Sequence, residues 1–245
     1  MYYKTIDPNC LNHPQASQEN SNMKSASLVP LTISLIALVA FTSGCSTLGK
    51  MELGRVVTSG RDGWQLPDRV VESLAIKPGD RVAEIGAGNG YWLPWLAEAV
   101  GQNGRVYAVE VTDELVEQLT ARVEREPLRN VVVVRGQLDD PSLPAGKIDV
   151  AITSLTYHHI EDRPAYFKRL QASLASEGRV VHIDGRPDLP IPLRWLQSSG
   201  HSSVPEEMEN EMNDAGYERT EGFDFLAMET IQVFVPIKRV ADRKP

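Results

Sequence analysis

The sequence has little cysteine and no excess of positive charge, and each shortage excludes a class of protein. Only Cys10 and Cys45 occur among 245 residues, which excludes a disulfide-stabilised fold. No cluster of cysteine and histidine has the spacing of a zinc site, so we predict no bound metal. Acidic residues outnumber basic ones by 33 to 25, and the net charge of −8 disfavours a nucleic-acid partner. The 42% hydrophobic content is that of an ordinary globular chain.

Charged residues are also missing from residues 25–48, a mostly apolar stretch. Read from Met23, the chain has a short basic start, an apolar core and small residues before Cys45, which is the layout of an export signal. This layout resembles a bacterial lipoprotein signal, in which the cysteine is acylated and becomes the mature N-terminus. We therefore predict a leader over residues 1–44 with its true start at Met23, and membrane attachment on the periplasmic side through a lipid on Cys45.

Two other interpretations of this stretch stay open. Its length approaches the roughly 20 residues that span a bilayer, so it is alternatively an uncleaved membrane anchor. If translation starts at Met51 instead, the signal is an artefact and the protein is cytoplasmic.

After a predicted linker over residues 45–60, apolar runs alternate with helical patterns in a domain predicted to span residues 61–240. This alternation predicts a parallel sheet covered by helices on both faces. The run of four valines at 131–134 lacks a polar face, which predicts a strand buried on both sides. The predicted strands are residues 81–85, 106–111, 131–134, 149–153 and 179–183, and the predicted helices are residues 91–100, 113–125 and 163–174.

The C-terminal part departs from this alternation. Ser203 and Glu206 fit a capping box at the start of a helix that Gly216 ends. Two strand-like pieces, residues 217–223 and 227–235, then predict an antiparallel hairpin. The fold class we expect is α/β: a doubly wound, mostly parallel sheet that ends in this hairpin.

The most informative segment, RVAEIGAGNGYW, covers residues 81–92. A strand ends in a turn with glycines at Gly86, Gly88 and Gly90, and glycine allows both positive φ angles and close approach of a ligand to the backbone. Twenty residues after Gly90, the second strand ends at Glu110, where a carboxylate can accept hydrogen bonds from both hydroxyls of a ribose. Together these features predict a nucleoside-containing ligand.

Tyr91 stands where the dinucleotide fingerprint has its third glycine, so the motif is G-x-G-x-G rather than G-x-G-x-x-G. With Glu84 in the preceding strand, the segment resembles motif I of the class I S-adenosylmethionine-dependent methyltransferases, and the resemblance extends over residues 66–238. It implies a Rossmann-like fold and S-adenosylmethionine as the cofactor. It also implies that the three glycines approach the methionine part, that Glu84 holds its amino group and that Glu110 binds the ribose.

The same resemblance assigns the adenine site to the exit of the third strand, where Gln137 and Leu138 lie. Many members of the family have Asp at the position of Gln137. Here an amide makes the base contact, or Asp139 replaces it.

The exit of the fourth strand should line the cleft, because ligands of open α/β sheets bind at the carboxyl ends of the strands. His158 and His159 follow this strand and are the candidates for a catalytic base, with Tyr157 as a positioning group. The alternative is that both histidines are solvated or hydrogen-bonded locally. Asp184, at the end of the fifth strand, is predicted to orient a neighbour in the cleft.

Arg61 and Trp64 precede the first predicted strand, and we expect them to fold over the cofactor as a lid; the alternative for Trp64 is that it packs at the domain edge. The function we expect is S-adenosylmethionine-dependent methyl transfer to a small-molecule acceptor. The alternative is a membrane-tethered, non-catalytic module that binds a nucleoside-like ligand in the same cleft. A nicotinamide dehydrogenase is disfavoured by Tyr91 and by the terminal hairpin.

Overall fold

Seven strands form one mixed sheet in the computed structural model, which describes residues 60–189 and 203–238. The strands are β1 (Arg81–Ile85), β2 (Arg105–Glu110), β3 (Val131–Arg135), β4 (Ile148–Ser154), β5 (Leu174–Gly185), β6 (Tyr217–Phe223) and β7 (Glu229–Pro236). Their order is β3-β2-β1-β4-β5-β7-β6, with β1 to β5 parallel and β7 antiparallel to both of its neighbours. This topology confirms the predicted fold class.

The helices lie between the strands, as the alternating pattern predicted. They are α1 (Gly60–Gln65), α2 (Pro67–Ser73), α3 (Leu93–Val100), α4 (Asp113–Arg125), α5 (Arg163–Leu170) and α6 (Pro205–Asp214), with short 3-10 turns at Tyr157–His159 and Gln171–Ser173. α4 has its predicted bounds because Thr112 caps it, accepting a hydrogen bond from the Leu115 amide at 3.3 Å. Two acidic residues in its first turn add favourable charge at the helix N-terminus.

The two faces of the sheet bury separate apolar clusters. Side chains alternate along a strand, so Val82 faces one cluster and Ala83 the other. The Val82 side packs against α2, α3 and α4, and the Ala83 side packs against α5 and α6. This alternation also determines on which face a polar residue at the end of each strand lies.

The valine run at 131–134 is less buried than predicted. Val131 is buried, whereas the three valines after it are only half-buried. β3 is an edge strand of the sheet, so no strand of the described residues lies on its outer side. The prediction of burial on both sides was therefore wrong, because a local run of valines does not reveal whether the strand has one neighbour or two.

The predicted capping box was also wrong. The N-cap of α6 is Val204, and no side chain caps that helix. The hydroxyl of Ser203 instead donates a hydrogen bond of 2.5 Å to Oδ2 of Asp184 at the end of β5. A capping box would use this hydroxyl to accept from a backbone amide, whereas here it donates to a buried carboxylate and ties the start of α6 to the end of β5.

The predicted leader, its start at Met23, Cys45 and most of the predicted linker lie outside the described residues. Within residues 60–189 and 203–238, no helix combines the length and the apolar character needed to cross a membrane.

Candidate active site

The glycine turn after β1 has the backbone that its sequence predicted. Gly86, Gly88 and Gly90 have φ angles of 71°, 56° and 78°, which L side chains rarely adopt. A Cβ added at Gly86 would lie 2.4 Å from Cγ2 of Thr156, and one added at Gly90 would lie 2.7 Å from Cδ1 of Leu93. A Cβ added at Gly88 would meet no atom within 4 Å. The outer two glycines are therefore required by packing, whereas the middle one faces open space that a ligand can occupy.

Glu110 lies directly against this turn. Its Oε1 accepts a hydrogen bond of 2.7 Å from the Gly88 amide, and its Oε2 accepts one of 3.0 Å from the Val111 amide. Each carboxylate oxygen keeps a second lone pair. The structure thus brings two predicted site residues together, and Glu110 can hold the turn while it accepts hydrogen bonds from a ligand.

Glu84 is buried in β1 with a side chain that is only 2% exposed. Its Oε2 has no hydrogen-bond partner among the described residues. Burial raises the pKa of Glu84 to about 8; the charge of Glu110 also raises it, while Arg61 and Arg122 act in the opposite direction. Buried polar atoms are normally satisfied, so this oxygen and the open space at Gly88 fit a ligand that brings a donor.

Gln137 and Leu138 lie in a surface turn after β3. The Gln137 amide donates to the Asp140 carbonyl at 2.6 Å, and the Leu138 side chain is 72% exposed. No hydrogen bond joins the Gln137 side chain to any residue that the structure describes. Asp139, the proposed substitute, is paired with Arg169, whose hydrogen bond lowers the pKa of that carboxyl. The Gly136 amide beside Gln137 donates to the Glu110 carbonyl at 2.9 Å, but no hydrogen bond among the described residues joins Gln137, Leu138 or Asp139 to Glu84 or to Glu110.

The exit of β4 contacts the glycine turn. Leu155 has a φ of 52°, a strained conformation for a leucine, and strained residues are frequent at functional sites. The Thr156 hydroxyl can donate to the Ser154 carbonyl at 3.1 Å or to the Gly86 carbonyl at 3.3 Å. The Ser154 hydroxyl is buried and has no partner among the described residues.

His158 and Asp184 are in contact across the ends of β4 and β5, where Asp184 was predicted to orient an unspecified neighbour. Nδ1 of His158 lies 3.0 Å from Oδ1 of Asp184, which is buried and also accepts hydrogen bonds from Ser203 and Gly185. Since a carboxylate only accepts, Nδ1 carries a proton in this pair and the basic lone pair of the neutral ring lies on Nε2. His159 is exposed, with its ring 4.2 Å from that of His158. The geometry therefore distinguishes the two histidines.

Two other aromatic side chains near the exit of β4, Tyr157 and His182, form hydrogen bonds within the fold. The Tyr157 ring is buried and its hydroxyl donates to Glu211 at 2.6 Å, so Tyr157 anchors α6 instead of facing the cleft as predicted. His182 lies 2.7 Å from the Thr153 hydroxyl, and burial lowers the pKa of His182 to about 3. A histidine with this pKa stays neutral at physiological pH.

α1 carries a group of polar residues at the same edge of the sheet. The Arg61 guanidinium lies 3.8 Å from the centre of the Tyr91 ring, and its Nε donates to Gln65 at 2.8 Å. Gln65 in turn donates to Glu229, the first residue of β7, at 3.0 Å. Gln65 and Glu229 were not predicted as site residues, although an acidic residue directly before the mostly apolar strand TIQVFV was a signal in the sequence.

Residues 82–178 match a family model described as methyltransferase domain. A protein-L-isoaspartate O-methyltransferase of Aeropyrum pernix is 37% identical over 126 residues, which is 50% of this chain and 45% of that protein. A nocamycin O-methyltransferase of Saccharothrix syringae is 30% identical over 127 residues, 52% of this chain and 45% of that protein. The chain thus spans less than half the length of each of these two relatives.

Among solved structures, a SAM dependent methyltransferase from Aquifex aeolicus has a TM-score of 0.61, covering 69% of this chain and 88% of that chain. At 23% identity, this likeness shows a shared fold. The family match covers the part of the domain that contains the glycine turn, Glu110 and His158, and the structural likeness shows the fold of that domain.

Proposed function

We propose that this protein transfers a methyl group from S-adenosylmethionine to a hydroxyl of a small-molecule acceptor. The observation that carries the proposal is the glycine turn after β1, where Gly88 has open space on its Cβ side and Oε2 of Glu84, four residues earlier, is buried with no partner among the described residues. This combination fits a ligand that approaches the glycine backbone closely and brings a hydrogen-bond donor. The ammonium group and the slender chain of a methionine fit both requirements.

The residues at the ends of β1, β2 and β3 can hold this cofactor. Glu84 binds its ammonium, Glu110 accepts hydrogen bonds from the ribose hydroxyls, and Gln137 and Leu138 contact adenine. When bound, the cofactor supplies a methyl group on a positively charged sulfur, which is already activated for displacement. What remains for the protein is to place the acceptor in line with that methyl group and to remove a proton where the acceptor carries one.

His158 is the proposed base. Asp184 fixes its ring through Nδ1, so Nε2 can take the proton of an acceptor hydroxyl and leave a more nucleophilic oxygen. His182 cannot serve, because it is buried against Thr153 and Met212. A base held by a carboxylate suits an acceptor that must lose a proton, which is why a hydroxyl is proposed. The O-methyltransferases among the similar sequences support this choice of acceptor atom.

The acceptor we propose is a small molecule and not a nucleic acid. The net charge of −8 disfavours binding of phosphate backbones, and two similar sequences have the names nocamycin O-methyltransferase and aklanonic acid methyltransferase. The name of the Aeropyrum relative, in contrast, specifies isoaspartate in proteins. A panel of phenols, hydroxylated polyketides and an isoaspartyl peptide separates these classes by transfer of a radiolabelled methyl group.

Calorimetry of the full-length protein with S-adenosylmethionine, and separately with NAD, tests the cofactor. Binding of S-adenosylmethionine alone is the expected result. Binding of NAD alone would identify a dehydrogenase. Binding of S-adenosylmethionine without methyl transfer to any acceptor would favour the tethered, non-catalytic module.

We further propose that the protein is attached to a membrane on the periplasmic side through a lipid on Cys45; the signal-like layout of residues 23–45 supports this. Labelling cells with a palmitate analogue tests the anchor. The label should be present in the wild type and in Cys10→Ser but absent from Cys45→Ser. Equal labelling of both variants, or none in the wild type, would leave the cytoplasmic alternative.

A further inference from the structure

Three buried polar atoms without partners among the described residues lie on one face of the sheet. They are Oε2 of Glu84 in β1, Oγ of Ser154 in β4 and Oε2 of Glu229 in β7. Each residue is two positions from a strand residue that packs in the Val82 cluster, so alternation places all three side chains on that face. All three also lie at the carboxyl edge of the parallel strands, where the glycine turn is.

Arg61 of α1 places a guanidinium in this same region, and a chain of hydrogen bonds connects it to β7. Glu229 Oε1 accepts from Gln65, and Gln65 Oε1 accepts from Nε of Arg61. The ring of Tyr91 supports the guanidinium from one side at 3.8 Å. These contacts fix the direction of the Arg61 fork, and Nε is the only one of its nitrogens that they use.

The cation and the two carboxylates lie near one another but do not form ion pairs. Among the described residues, no carboxylate lies within 4.0 Å of the Arg61 guanidinium. Burial lowers the pKa of Arg61, and the charges of Glu229 and Glu84 oppose this shift, which places all three groups in one electrostatic neighbourhood. A guanidinium without a counter-ion and a buried glutamate oxygen without a hydrogen-bond partner among the described residues suit a ligand that carries both a carboxylate and an ammonium group.

We propose that Arg61 binds the carboxylate of the cofactor's methionine part, while Glu84 and the Ser154 hydroxyl accept its ammonium. This assignment rests on the proposed function. It gives α1 a direct binding role, because Arg61 contacts the ligand through its terminal nitrogens. Gln65 and Glu229 are positioning residues, which act by holding the guanidinium fork towards the site.

Three ligands that differ in the charged groups of their methionine-derived part test the two contacts separately. S-adenosylhomocysteine carries ammonium and carboxylate, its decarboxylated analogue carries the ammonium alone, and methylthioadenosine carries neither. Calorimetry on the full-length protein should show that Arg61→Gln weakens S-adenosylhomocysteine by about 10- to 100-fold. The other two ligands should keep their affinity within about 2-fold, because they present no carboxylate to Arg61. Arg125→Gln, an exposed arginine at the end of α4, is the matched control and should change none of the three.

Gln65→Leu provides a second variant that keeps the guanidinium but removes the bond to its Nε. This variant should weaken the binding of S-adenosylhomocysteine only, and by less than Arg61→Gln does. Arg61→Lys should bind S-adenosylhomocysteine more tightly than Arg61→Gln but more weakly than the wild type. An equal loss for all three ligands in Arg61→Gln, or no loss for S-adenosylhomocysteine, would overturn the assignment while leaving the proposed function intact. Failure of the wild type to bind any of the three would overturn both.

Discussion

Nδ1 of His158 lies 3.0 Å from Oδ1 of Asp184, a contact that joins the exits of two neighbouring parallel strands. The aspartate is buried, and three donors surround its carboxylate: the His158 ring, the Ser203 hydroxyl and the Gly185 amide. This environment keeps the imidazole in one orientation, with Nε2 as its basic atom.

His158→Gln should therefore lower kcat by about 100- to 10,000-fold with any hydroxyl acceptor that the protein methylates, since it removes the base. The dissociation constant of S-adenosylmethionine should stay within about 2-fold, because His158 is not assigned to the cofactor. Rate measurements with a labelled methyl group and calorimetry check the two expectations. His159→Gln should cost much less, and a loss equal to that of His158→Gln would contradict the assignment of the base.

How much of this site the sequence could predict depends on the distance along the chain between interacting residues. Glu84, Gly88 and Glu110 belong to one strand–turn–helix–strand unit, so their spacing predicted that they serve one site, and the structure shows Gly88 and Glu110 in contact. The contact between Gln65 and Glu229 joins residues 164 positions apart, and it exists because β7 enters the sheet beside β5. No local pattern contains that information.

At Ser203, a local sequence pattern predicted a contact that the tertiary structure replaces with another. Its local sequence fits a helix cap, but tertiary structure supplies a buried carboxylate from Asp184 that takes the hydroxyl. The exposure of the β3 valines has a related cause, since a strand's own residues do not record its position in the sheet.

Binding of the cofactor should release protons near neutral pH. In the free protein, burial raises the pKa of Glu84 to about 8, so this carboxyl is mostly protonated at pH 7. An ammonium group placed against it favours the ionised form and lowers this pKa, and the proton goes to the buffer. Calorimetry in buffers with different ionisation enthalpies should detect up to about one proton per site at pH 7. Release should fade well above pH 8, and it should be absent in Glu84→Gln.

The unfolding free energy of the ligand-free protein should carry a signature of the same buried acids. Burial raises the pKa of Glu84 to about 8 and that of Glu229 to about 7, both above the 4.5 of an exposed glutamate. These two carboxyls therefore hold more protons in the folded protein than in the unfolded chain, and their contribution to stability falls as the pH rises from about 4.5 to about 8. Each group contributes a slope of at most about 1.4 kcal/mol per pH unit.

Urea unfolding of the wild type and of Glu84→Gln measures this contribution directly. The difference in unfolding free energy should shift in favour of the variant as the pH rises towards about 8, because the variant has no charge to bury. Taking the difference cancels the acids whose pKa is lowered, such as Asp139 and Glu211. A difference that does not change with pH would show that Glu84 titrates as an exposed carboxyl.

Gly86→Ala and Gly88→Ala form a matched pair that separates packing from binding. Both residues have positive φ angles, so each alanine is strained by about 1–2 kcal/mol. At Gly86 the new methyl group also lies 2.4 Å from Thr156, and crowding adds to a total loss of about 2–4 kcal/mol in unfolding free energy. At Gly88 the methyl group enters open space, so this variant should fold but bind S-adenosylhomocysteine at least about 10-fold more weakly. Undiminished affinity in a folded Gly88→Ala protein would mean that the ligand does not occupy the space at this turn.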